Sequence, residues 1–116
     1  RILRAREMVE QVYVDDKIKG YVLDVVFATR EPESFGLESE ADFIEFGASP
    51  RASLSLTRAA RAHAFLRKRG FVTPEDVKAV GPDVLRHRIL LSFEAEAAGR
   101  TPDELIAMIL ERVGVP

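Results

Sequence analysis

Apolar residues recur at intervals of three and four along most of the chain, the spacing that gathers them on one face of an α-helix. Ile2, Ala5, Met8, Val9 and Val12 predict a first amphipathic helix over 2–14. Ile18, Tyr21, Val22, Val25, Val26 and Thr29 predict a second, capped by Asp15 or Asp16. Glu31-Pro32 ends it, because a residue before proline is pushed out of the helical region. From Glu31 to Ala48 the periodicity stops. Glu31, Glu33, Glu38, Glu40, Asp42 and Glu45 follow one another there with no base among them, the composition of a long solvated loop. Within it, Phe43 to Gly47 alternates briefly and is expected to lie extended.

Three helix starts then share one pattern. Ser49-Pro50, Thr73-Pro74 and Thr101-Pro102 each place a hydroxyl at the cap and proline at the first helical position. Thr101 has Glu104 three residues on and Thr73 has Asp76, the spacing of a capping box. The helices are expected to run from Pro50 to Arg69, stopping at Gly70; from Pro74 to Val80, with a further turn over 83–87; and from Pro102 to Val113. Ile89-Leu90-Leu91 reads as a short extended piece. The fold class is therefore all-α, a small bundle of about five main helices with a long acidic loop between the second and third.

The chain has 116 residues, the size of one domain, and is 47% hydrophobic, enough for a single core over 1–116 and too much for disorder. It contains no cysteine, which removes disulfides and thiolate metal sites. Seventeen basic against nineteen acidic side chains give a net charge of −2, so no overall excess draws the chain to nucleic acid. Its apolar runs are far shorter than a membrane span, and the opening is charged, without a signal-peptide pattern. These features point to a cytoplasmic chain. The opening at Arg1, already in helical rhythm, reads as a fragment of a longer protein.

The helix over 50–69 carries the most information. No acid occurs from Ala48 to Val72. At about 100° per residue, Ala52, Leu56, Ala59, Ala60, His63 and Leu66 share the core face, while Arg51, Arg58, Arg61, Lys68 and Arg69 form a basic stripe. Most of that stripe reads either as a solvated face or as a contact for an anion or nucleic acid. Arg51 stands apart. It lies at the helix start, where the dipole disfavours a cation and free N–H groups favour an anion. A phosphate there would reconcile the two, and an exposed arginine without a partner is the plain alternative.

Gly47-Ala48-Ser49-Pro50-Arg51-Ala52, followed by Arg58-Ala59-Ala60-Arg61-Ala62, resembles the C-terminal lid of the MoxR family of AAA+ ATPases. The resemblance continues upstream in Tyr21-Val22 and Ala28-Thr29-Arg30-Glu31-Pro32. Downstream it takes in Val72 to Lys78, Val84 to Arg88 and Glu94-Ala95-Glu96, so it spans nearly the whole chain. It implies a helical lid beside a nucleotide-binding α/β core, with Arg51 as the sensor 2 arginine reaching the terminal phosphates of ATP. Gly47 would permit the close turn into the helix, with Ser49 capping it before Pro50. Tyr21 or Val22 becomes a candidate for the adenine edge, although burial in the core explains either equally well.

The resemblance implies a full-length protein that binds and hydrolyses ATP with magnesium, forms a ring, expected to be hexameric, and acts as a chaperone-like factor in the assembly or activation of other complexes. Its partners would be the AAA+ core of the same chain, neighbouring subunits and proteins with a von Willebrand factor A domain. A magnesium-chelatase-like subunit is a related reading. The chain has neither a G-x-x-x-x-G-K-[ST] loop nor an acidic Walker B strand, so alone it is not expected to hydrolyse ATP. The alternatives are a helical nucleic-acid-binding module using the basic face of helix 50–69 and an interaction module using the acidic segment 31–42. His63, on the apolar face, reads as a hydrogen-bonded core histidine, and His87 sits between two arginines, a poor metal ligand.

Overall fold

The computed structural model describes residues 7–116. Helix α1 spans Asp16–Arg30, α2 Ala52–Leu66, α3 Pro74–Leu85, α4 Phe93–Ala97 and α5 Pro102–Arg112. Residues 7–10 are also helical. The start of the expected first helix, with Ile2 and Ala5, lies outside the described residues. Its end differs from expectation: the chain leaves the helix before Val12, and Tyr13 forms a parallel bridge with Phe71. The Tyr13 N–H donates to the Gly70 carbonyl and the Val72 N–H to the Tyr13 carbonyl, both at 2.9 Å. That pairing buries Val12 and Val14 on either side of an exposed Tyr13, as an extended segment requires.

Helix α1 buries Ile18, Tyr21, Val22, Val25, Val26, Ala28 and Thr29, the face its periodicity predicts. Asp15 is its cap and accepts from the Ile18 N–H at 2.8 Å. Helix α2 buries a narrower row than expected: Ala52, Leu56, Ala60 and Ala64. Small residues at this i, i+4 spacing let α3 pack closely along α2. Leu66, expected in the core, is instead exposed at the last turn.

Helix α3 runs unbroken through Gly81-Pro82, where the sequence predicted a stop and a separate turn. A Cβ at residue 81 would stand 3.0 Å from Leu110 Cδ1, so glycine suits the close approach of α5. Proline remains inside α3 at the cost of one N–H donor. Leu56, Leu85, Ile106, Ile109 and Val113 are among the fully buried side chains that join α2, α3 and α5 in one core.

The acidic segment is more ordered than a solvated loop. It forms two 3₁₀ helices, Pro32–Phe35 and Glu38–Phe43, then strand β1, Ile44–Phe46. Pro32, Leu37 and Glu40 are buried, which anchors the segment to the domain while most of its acids face water. Strand β1 pairs antiparallel with β2, Leu90–Leu91. The short helix α4 was not foreseen. Five residues are too few to show periodicity, and its signal was local: Ser92 accepts from the Ala95 N–H at 3.2 Å.

Candidate functional site

The two ends of α2 concentrate the unusual chemistry, and each is built from its approach segment. At the N-terminal end, the chain emerging from β1 is clamped to the end of α1. The Thr29 hydroxyl donates to the Val26 carbonyl at 2.6 Å and accepts from the Ala48 N–H at 2.9 Å. Ala48 and Thr29 are both fully buried. A Cβ on residue 47 would fall 2.4 Å from the Thr29 carbonyl oxygen, closer than any side chain tolerates. Gly47 is therefore required by backbone-on-backbone packing. The sequence placed Thr29 on the periodic face of its helix, and its role as the clamp, across nineteen positions, became visible only in three dimensions.

Ser49, Pro50 and Arg51 then form a tight turn. The N–H groups of Ala52, Ser53 and Leu54 donate to the carbonyls of Ser49, Pro50 and Arg51 at 2.9, 3.1 and 3.1 Å. This arrangement differs from the expected start in two ways. The regular helix begins at Ala52, with Arg51 at the cap position and no side chain capping it, so the Ser49 hydroxyl does not play that part. Moreover, the N–H groups of the first turn are already satisfied within the chain, which removes most of the anion-binding capacity of a bare helix end.

What remains is Arg51 itself. It is exposed, and among the described residues it makes no ion pair or side-chain hydrogen bond. A guanidinium in this position can extend toward a phosphate lying outside the domain, as a bidentate donor. Gly47, Ser49, Pro50 and Arg51 are thus brought together on one turn. Tyr21 is not among them. It is only 2% exposed, and its hydroxyl has no hydrogen-bond partner among the described residues. Burial, with a smaller contribution from Glu75 at the start of α3, raises its pKa above the ordinary value. The ring belongs to the core.

At its C-terminal end, α2 closes through a left-handed Lys68, with φ 60°. The Lys68 N–H donates to the Phe65 carbonyl and the Arg69 N–H to the Ala64 carbonyl, both at 2.9 Å, which is the Schellman pattern. The helix therefore stops short of Gly70, and the turn swings Arg69 onto Asp76. Asp76 is completely buried. Its carboxylate accepts from Arg69 at 2.7 and 2.8 Å and from the Thr73 N–H at 2.8 Å, and it meets His63 Nδ1 at 2.7 Å. Burial alone would push this carboxyl up, but the Thr73 N–H, His63, Arg69 and the Thr73 hydroxyl together hold it below its ordinary value. The expected Thr73–Asp76 capping box is present, enlarged into a knot joining α2 to α3.

This knot changes the basic stripe. Arg69 is spent on Asp76, so the face available to a polyanion is smaller than the helical wheel suggested. Among the described residues, no three His, Asp or Glu side chains are grouped to hold a metal ion, and no helix is long and apolar enough to cross a membrane.

The described residues form a small helical bundle that fixes the turn carrying Arg51 at the start of α2. A model of the AAA lid domain family matches residues 38–109. The chain belongs to that family, and its relatives place it with the lids of the MoxR type. It is 44% identical over 115 residues to Chaperone MoxR1 of Mycobacterium tuberculosis, covering 99% of this chain and 30% of that protein. It is 34% identical over 111 residues to Protein MoxR of Methylorubrum extorquens, covering 90% of this chain and 32% of that one. Among solved structures, a candidate ATPase from Cytophaga hutchinsonii superposes with a TM-score of 0.95 at 43% identity, over 99% of this chain and 35% of that one. The chain thus spans about a third of the length of the relatives it matches.

Proposed function

We propose that the chain is the lid of a cytoplasmic AAA+ ATPase that assembles into a ring and acts as a chaperone-like factor on other protein complexes. The observation that carries this reading is Arg51: an exposed cation, unpaired among the described residues, on a turn held rigidly by Gly47 and Thr29. The domain 1–116 would be one lid, with the nucleotide-binding core supplied by the rest of the protein. Bound ATP with magnesium supplies the phosphoanhydride bond whose cleavage drives the work.

This chain's residues would do two things there. The Gly47–Thr29 clamp sets the position of the turn, and Arg51 holds negative charge on the phosphates as the sensor 2 arginine. Pre-positioning matters because a donor fixed beforehand needs no reorganisation when charge develops. Magnesium would be held by residues outside this chain. Neighbouring subunits and proteins with a von Willebrand factor A domain are the partners the resemblance favours.

Steady-state ATP hydrolysis by the full-length protein tests the reading. Arg51→Ala should lower turnover by roughly tenfold to a thousandfold, the range for removing one fixed charge-stabilising donor. Arg51→Lys should recover only part of it, since lysine cannot form the planar two-pronged contact. An active wild type with an unaffected Arg51→Ala variant would remove Arg51 from the site. A wild type inactive with magnesium and partners present would overturn the ATPase reading.

A further inference from the structure

The C-terminal end of α2 carries an apolar surface that the domain itself leaves uncovered. Leu66 is 77% exposed there, and Met8, Phe71 and Tyr13 are between 47% and 64% exposed. The local structure turns them outward. Pairing of Tyr13 with Phe71 gives both segments the alternation of extended chain, so burying Val12, Val14 and Val72 sends Tyr13 and Phe71 to the other side. Beside them Met8, Val12, Phe65 and Leu66 line a groove of about 610 Å³. Clustered exposed apolar side chains of this size mark a contact surface.

The charge of this groove is one-sided. Among the described residues its charged lining consists of Lys68 and Arg69, with no acid. Arg69 is committed to Asp76. Lys68 is exposed and makes no ion pair or side-chain hydrogen bond among the described residues. It also stands at φ 60°, where glycine is the usual residue, although a glycine is available two positions on. The helix end therefore carries the strain of a left-handed lysine and, with it, a cation at a fixed point of the groove.

About two-thirds of the length of the relatives lies outside this chain. Both ends of the described residues reach the same surface. Met8, in the first described turn, lines the groove itself. Pro116 lines a neighbouring cleft of about 300 Å³ with Phe71, Val72 and Thr73. A continuation through either end therefore runs out beside the patch, and a tethered segment acts there at an effective concentration on the order of millimolar, which a separate protein or a second copy rarely reaches. The Arg51 end of α2 differs. Fifteen helical residues, about 22 Å, separate it from the patch, and neither end lines the groove beside it.

We infer that the rest of the same polypeptide docks on this end of α2, seating apolar side chains on Leu66, Met8 and the Tyr13–Phe71 pair and a carboxylate against Lys68. The contact holds α2 at the end remote from Arg51. The inference rests on the reading of this chain as part of a longer protein, and it needs neither ATP nor Arg51.

Thiol labelling of the full-length protein tests it. This chain has no cysteine, so Leu66→Cys places one where the domain alone leaves the side chain open, and peptide mass spectrometry after maleimide treatment reads that residue. Gly70→Cys is a second probe that removes no apolar contact, since a Cβ there meets nothing within 4 Å. Both thiols should react at least tenfold more slowly in the native protein than in urea. Lys68→Gly relieves the left-handed strain and removes the cation, and it should speed labelling of Gly70→Cys at least threefold with circular dichroism unchanged. A lysine with only a structural role would leave that rate where it was, which overturns the carboxylate contact. Native rates equal to those in urea at both probes overturn the docking. Protection that fades on dilution assigns the patch to a second copy, and protection that appears only when another protein is added assigns it to that protein; either overturns the inference. Protected thiols in a protein without ATP hydrolysis sustain the docking and overturn only the function proposed above.

Discussion

The two ends of α2 each present an arginine, and they use it in opposite ways. At the C-terminal end Arg69 is folded back onto a buried carboxylate, with His63 and Thr73 completing the set of donors. At the N-terminal end Arg51 faces solvent, while every nearby contact serves the backbone that carries it. Charge at the first end holds two helices together. At the second, structure is invested in placing a charge that does nothing for the fold. Two arginines flanking one helix thus separate into a structural residue and a candidate functional one, according to whether the tertiary structure supplies an acid.

The comparison breaks most visibly at Asp76. Asp76→Ala would strand Arg69, His63 and the Thr73 N–H together, and should destabilise the chain by about 3–5 kcal/mol, the range for removing one partner of a buried pair. Urea unfolding of the chain would measure it, and a loss below about 1 kcal/mol would mean that water replaces the carboxylate readily. Gly47→Ala comes next. The added methyl must displace the end of α1, at about 1–3 kcal/mol for overpacking, and ATP turnover by the full-length protein should fall with it because the Arg51 turn moves.

A pH titration sharpens the same contrast. The folded pKa of Asp76 lies below its ordinary value of about 3.8, so its contribution is fully present above that pH and is lost as the pH falls through the lower folded value. Acid unfolding of wild type and Asp76→Asn should therefore differ in slope below about pH 4. Parallel curves would show that other carboxylates set the acid limit. The smallest effect on stability belongs to Arg51→Ala, within about 0.5 kcal/mol by the same urea measurement, as expected for an exposed side chain that pairs with none of the described residues. A larger loss would reveal a structural contact for Arg51 and weaken its assignment to phosphate.

Much of this molecule was legible in its amino-acid order because the signals are local. The buried face of α1 follows from its three-four spacing, and the starts of α3 and α5 from Thr-Pro with an acid in the first turn. The AAA lid assignment followed from the run Gly47 to Ala52 together with the segments around it. Three of the errors share a cause, a partner distant in the chain. Leu66 lost its place in the core because α3 packs on the alanine row instead. Helix α3 continued past Gly81-Pro82 because α5 presses against the glycine. The acidic segment became ordered by burying Pro32, Leu37 and Glu40 and by pairing β1 with β2, contacts that its composition does not announce.

The amino-acid sequence by itself determined the helical class, the starts of α1, α3 and α5, the family and the presence of an arginine where a helix begins. Periodicity and capping are properties of neighbours within a few residues, and a chain carries them before it folds. Only the tertiary structure decided which cations are free. Asp76 reaches Arg69 across a left-handed turn, Thr29 holds Ala48 from nineteen positions away, and Tyr21 turns inward. Pairing and burial depend on which elements meet, and that is settled by the packing of the whole core.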